Sequence, residues 1–121
     1  MISTNWLRQR RIDAKPTFRE TTMFVHSVYF WLKTDLTADQ RNQYVAGVRS
    51  LTTIPSVRHS FVGTPADTDR PIIDRSYSYA LVLFFDDEAG HDSYQVHPIH
   101  DQFRKECGGL WDKVLIYDAI G

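Results

Sequence analysis

Two segments of this chain, Phe24 to Leu32 and Tyr77 to Phe85, have the length and the branched and aromatic content of β-strands, and both are apolar on both faces. Alternation along the first puts Phe24, His26, Val28, Phe30 and Leu32 on one side and Val25, Ser27, Tyr29 and Trp31 on the other. Along the second it opposes Tyr77, Tyr79, Leu81, Leu83 and Phe85 to Ser78, Ala80, Val82 and Phe84. A sheet built on such strands has to be covered on its front and on its back, because the open face of a half-solvated sheet is normally polar. With 121 residues the chain makes one domain with one core, and it does not hold enough helix for two covering layers.

The remaining elements supply one layer. Thr37-Ala38-Asp39-Gln40 has capping-box spacing, so a helix starts there, with Tyr44, Val45, Val48 and Leu51 as its apolar stripe and Pro55 as its stop. Val57 to Val62 reads as a strand, and Gly63 to Arg75, with prolines and aspartates, as a long loop. Asp86 or Asp87 caps a short second helix reaching about Val96. Pro98 opens a third, because its missing N–H costs nothing in a first turn, and Gly108-Gly109 closes it. Val114 to Tyr117 is the last strand. The order is β-α-β-β-α-β with the second helical region broken, an α+β, ferredoxin-like plan: an antiparallel sheet with helices on one face. The uncovered face, with Val25, Tyr29, Trp31, Val82 and Phe84 and either Leu115 or Tyr117, then calls for a second copy packed sheet to sheet, and a homodimer is expected. Shielding by residues 1–22 is the alternative cover.

Charge and cysteine usage narrow the class further. Residues 1–22 carry five basic and two acidic groups, among them Arg8, Arg10 and Arg11, against nine basic and 13 acidic groups in the remainder. The first 22 residues are read as an extension of the domain at 23–121, with Met23 a candidate start and a partner-packing arm the other reading. The mildly acidic remainder gives no electrostatic footprint for nucleic acid. The longest apolar run, Ala80 to Phe85, falls far short of the ~20 residues of a membrane-spanning helix. The single Cys107 rules out an internal disulfide, and with no signal-peptide pattern a cytoplasmic location is expected. Cys107 has no neighbouring His in sequence and lacks the setting of a nucleophile. Phosphate-binding loops and a nucleophile elbow are absent from the sequence, and no cofactor is expected.

The stretches Phe24-Val25-His26-Ser27-Val28-Tyr29-Phe30, Ile54-Pro55, Tyr94-Gln95-Val96-His97-Pro98-Ile99-His100-Asp101-Gln102-Phe103 and Trp111-Asp112-Lys113-Val114-Leu115-Ile116-Tyr117-Asp118 resemble the stress-responsive dimeric α/β-barrel (Dabb) family. That resemblance spans Met23 to Ile120 and implies two ferredoxin-like subunits whose sheets join into a barrel. The family includes plant polyketide cyclases that close a poly-β-keto chain by aldol chemistry. By that resemblance His100 is the general base, Tyr94 supports the substrate carbonyl, and His26 is a pocket residue. Where the cyclase has a further pocket His on the third strand this chain has Tyr79, and Gly47 stands where its helix offers an aromatic wall.

From the residues themselves, a neutral imidazole at His100 can take a proton from carbon beside a carbonyl. Tyr94, six positions earlier, reaches it only if the chain folds back at His97-Pro98. The bland readings are that His97 caps the third helix, that His100 bonds a backbone carbonyl and that Tyr94 is a core aromatic. His97 and His100, with Asp101 or His91, have metal-compatible spacing, but spacing alone makes no site and none is expected. His59 and His91 are expected at the surface. The functional expectation is a homodimer binding a small apolar, carbonyl-bearing molecule among His26, Tyr79, Tyr94, His97 and His100. The alternatives are a cofactor-independent cyclase, lyase or isomerase acting through His100, and a stress-related protein-interaction module.

Overall fold

The computed structural model describes residues 22–121, so the expectations for the N-terminal extension fall almost wholly outside the described residues. Strands β1 (Phe24–Leu32), β2 (His59–Gly63), β3 (Tyr79–Phe85) and β4 (Trp111–Ile120) form one antiparallel sheet in the order β2-β3-β1-β4. Helices α1 (Ala38–Leu51), α2 (Glu88–Gln95) and α3 (Pro98–Cys107) complete the ferredoxin-like order.

The helix starts follow from their capping groups. Thr37 accepts from the Gln40 amide at 3.1 Å while the Gln40 side chain accepts from the Thr37 amide at 2.8 Å, a complete capping box. Asp87 caps α2 through the Gly90 amide. The ring of His97 caps α3, its Nδ1 accepting from the Ile99 amide at 3.1 Å with Pro98 in the first turn.

One face of the sheet carries the core. Phe24, Val28, Phe30 and Leu32 of β1 and Leu81, Leu83 and Phe85 of β3 are buried against Tyr44, Val48 and Leu51 of α1, Tyr94 of α2 and Phe103 and Cys107 of α3. Gly47 lets α1 lie close on α3: a Cβ there would stand 2.6 Å from Cys107 Sγ and 3.1 Å from the Phe103 ring. Gly47 therefore marks a helix–helix contact.

The opposite face carries Val25, Tyr29 and Trp31 of β1, Val82 and Phe84 of β3, Phe61 of β2, and both Leu115 and Tyr117 of β4. Phe61 is 57% and Tyr117 61% exposed. Among the described residues the helices leave this face uncovered. Two expectations shift here. Tyr77 precedes the regular pleat of β3, and its ring packs on Tyr29 and Trp31 of the outer face rather than inward. Strand β4 begins at Trp111 rather than Val114, because Asp112 and Lys113 sit on an edge strand with solvent beside it.

Candidate functional site

Between the core face of the sheet and helices α2 and α3 lies a cavity of about 190 Å³. Its walls are apolar: Val28 and Phe30 of β1, Leu81 of β3, Leu51 of α1, Phe103 of α3, and Trp111, Val114 and Ile116 of β4. Three polar rings interrupt them, His26, Tyr94 and His100, with Gln95 and Arg104 completing the lining. Val114 and Ile116 lie on the helix side of β4, where none of the described helices covers them, and are 39% and 48% exposed. The cavity therefore opens along β4.

His26 and His100 sit on different elements and are both more than nine-tenths buried. The chain does turn back between α2 and α3, which brings the Tyr94 ring to 4.8 Å from His100, edge to face, and 5.6 Å from His26. Burial of His100, with the Arg104 charge next in weight, lowers its pKa to about 4, so the ring is neutral at pH 7. Its Nδ1 is buried without a hydrogen-bond partner among the described residues. Burial likewise raises the Tyr94 phenol well above its ordinary value, which keeps the hydroxyl protonated and a donor.

His26 has a partner that sequence reading did not assign. Its Nδ1 lies 2.6 Å from Asp118 Oδ1, and since a carboxylate only accepts, Nδ1 carries the hydrogen and Nε2 is left as the acceptor. Desolvation lowers the His26 pKa, and Asp118 partly opposes that. The signal was available: Asp118 shares a face with Val114 and Ile116 by strand alternation, and β1 pairs it directly with His26.

The structure corrects His91, expected at the surface and found buried. Its ring stacks on Phe24 at 4.5 Å and lies 4.8 Å from His26. The Asp87 cap fixes the phase of α2, and His91 and Tyr94, three residues apart, then share its inward face. Tyr79 and His97 are not in the cavity wall. Tyr79 packs its ring on Tyr44 at 5.3 Å toward the other end of the sheet, and His97 is engaged in the α3 cap. His59 is exposed, as expected. The His97 and His100 pair does not converge with Asp101 or His91 as a ligand group. Among the described residues the one such grouping is His26, His91 and Asp118. No helix among them is long and apolar enough to cross a membrane.

Solved structures share this architecture. A dimeric ferredoxin-like protein of unknown function from Thermobifida fusca superposes with a TM-score of 0.66 at 20% identity, over 88% of this chain and 98% of that one. A Dabb family protein with a ferredoxin-like fold from Mesorhizobium loti does so with a TM-score of 0.65 at 26% identity, over 81% and 95%. A hydroxynitrile lyase from Passiflora edulis gives 0.67 at 22% identity, over 82% and 93%. No curated protein sequence matches. The model of the stress responsive A/B barrel domain matches residues 24–120, nearly the whole described chain, and the protein belongs to that family.

Proposed function

We propose that this protein is a homodimer whose subunits each bind a small, mainly apolar molecule carrying a carbonyl or hydroxyl group in the cavity beneath α2 and α3. The observation that carries this reading is the convergence of His26, Tyr94 and His100 on one apolar space of about 190 Å³. A few placed polar groups in an apolar wall fix a ligand's orientation, and this volume suits a ligand smaller than a typical drug. A protonated phenol can donate to a carbonyl oxygen, and the neutral rings can accept from a hydroxyl. The dimeric ferredoxin-like proteins of known structure support the assembly, as does the apolar outer face.

The pairing of His26 with Asp118 favours a second reading, an enzyme that moves a proton without a cofactor. A fold of this kind carries a hydroxynitrile lyase in Passiflora edulis. The proton transfer proposed for this chain is of another kind: a base takes a proton from carbon beside a carbonyl, the electron pair moves to the carbonyl oxygen, and a donor steadies the charge there. His100 was the expected base, but a ring whose pKa has fallen to about 4 holds an abstracted proton poorly. His26, backed by a carboxylate at 2.6 Å, is the better acceptor, with Tyr94 as donor and His100 as a neutral hydrogen-bonding neighbour.

Ligand-observed NMR with β-dicarbonyl and hydroxyaryl ketone compounds in deuterated buffer tests both. The expected result is saturable binding that His100→Ala weakens about tenfold, a loss of ~1.4 kcal/mol. Catalysis adds deuterium incorporation at the activated carbon faster than the spontaneous exchange in buffer, and His26→Gln returns it to the spontaneous rate. Absence of binding across the whole set overturns the pocket reading, and binding without exchange above the spontaneous rate overturns the enzyme reading alone.

A further inference from the structure

His26 of β1, His91 of α2 and Asp118 of β4 each present one ligand atom, and these atoms all lie within 4.8 Å of one another. His91 Nε2 is buried with no hydrogen-bond partner among the described residues and stands 4.0 Å from Asp118 Oδ2, too far for a hydrogen bond. A buried ring nitrogen without a partner is destabilising, so its position beside a carboxylate calls for something between them. A cation answers that call, because the lone pair of a neutral imidazole and the carboxylate oxygens are all acceptors.

We propose that His26, His91 and Asp118 form a binding site for a divalent transition-metal ion of the zinc type. Two imidazoles and one carboxylate are the ligands such ions take, whereas calcium and magnesium prefer all-oxygen sets. The rings are held by packing: His91 stacks on Phe24 and meets Phe85 edge-on, and His26 meets Tyr94 edge-on. The Asp118 side chain is 38% exposed and gives an ion a route from solvent. Zinc–ligand bonds of roughly 2.0–2.2 Å require the His91 and Asp118 atoms to draw closer by about an ångström, while the ion takes the place of the hydrogen between His26 and Asp118 and the ring carries its hydrogen on Nε2 instead. Three protein ligands leave a position open, and because His26 also lines the cavity, an ion here stands at the cavity's edge. The site shares only His26 with the cavity wall, and with an ion on its Nδ1 that ring would present Nε2–H to the cavity as a donor, in place of the acceptor of the cofactor-free reading.

The test is calorimetric titration of the untagged, chelator-treated full chain with ZnCl₂, with Co²⁺ as an optical reporter. The expected result is one ion per chain and a visible ligand-field band of low-symmetry Co²⁺. His91→Phe, which keeps the ring on Phe24, and Asp118→Asn should each weaken binding about tenfold or more, while His59→Gln, at an exposed position, should leave it unchanged. If His91→Phe does not fold, Asp118→Asn at its half-exposed position carries the comparison. Failure to bind zinc at millimolar concentration overturns the proposal. So does zinc binding that the Asp118 variant leaves intact, or binding that the His59 variant weakens.

Discussion

At the scale of the residue, His100 shows how burial sets chemistry. Three influences lower its pKa to about 4, burial first and then the charges of Arg104 and His26, while Asp101 and a backbone hydrogen bond act the other way. The unfolded chain therefore takes up a proton at this ring before the folded one does. Its contribution to stability is complete above about pH 6.5, declines as the pH falls toward 4, and does not change further below that. His26, lowered as well, acts in the same direction. Urea unfolding at pH 7 and pH 4.5 should show a loss of about 2 kcal/mol assignable to His100, and His100→Gln should remove that part of the slope. An unchanged slope in the variant would place the titration elsewhere. The histidine at 91 makes the complementary point. Its burial follows from being three residues from Tyr94 on a helix whose phase the Asp87 cap sets, but a polar residue in a short helix carries no apolar signal of its own.

At the scale of the element, local chemistry decided most of what could be read in advance. The capping box at Thr37, the proline opening α3 and the apolar alternation of β1 place those elements within a residue or two of where they stand. Where pairing rather than pattern sets the boundary, reading fell short: β4 is longer than its apolar run because β1 continues to pair with it through Lys113 and Trp111. The site was legible in part for the same reason. Tyr94 and His100 announce themselves by a local motif, whereas the contact of His26 with Asp118 spans 92 positions and exists only through strand pairing. The contact between α1 and α3 gives this scale its prediction. Ala is intrinsically the better helix former by about 1 kcal/mol, but at Gly47 its Cβ would meet Cys107 Sγ at 2.6 Å in a buried contact with Phe103 behind it. Crowding of that kind costs about 1–3 kcal/mol, so Gly47→Ala should lower the thermal midpoint. The double variant Gly47→Ala, Cys107→Ala should recover part of the loss, and a Gly47→Ala chain as stable as the parent would mean that the helices separate freely.

At the scale of the whole molecule, the governing fact is an apolar sheet face with no cover within the described chain. Val25, Tyr29, Val82, Phe84, Phe61, Leu115 and Tyr117 lie together on it, and burying such a face yields about 25 cal/mol for each Å² removed from water. A second copy related by a two-fold axis presents the same surface in return, so one patch serves both subunits, and a stable interface of this type takes about 800 Å² from each partner. Val82 pairs with Ser27 on one side and Phe61 on the other, which puts it inside the sheet rather than at an edge. A carboxylate introduced there would be unpaired and stripped of water beneath a second copy, a cost of several kcal/mol in a dimer and little in a solvated monomer. Light scattering behind size exclusion should therefore give the parent chain twice its 14.1 kDa mass, and Val82→Asp should give a single subunit or an insoluble chain. Trp31→Glu, farther along β1 where Lys113 lies 4.3 Å over the indole, should have the same direction with a smaller effect, because that lysine can pair the new charge. A parent chain that runs as a well-behaved single subunit at high concentration would mean that something other than its own copy covers this face.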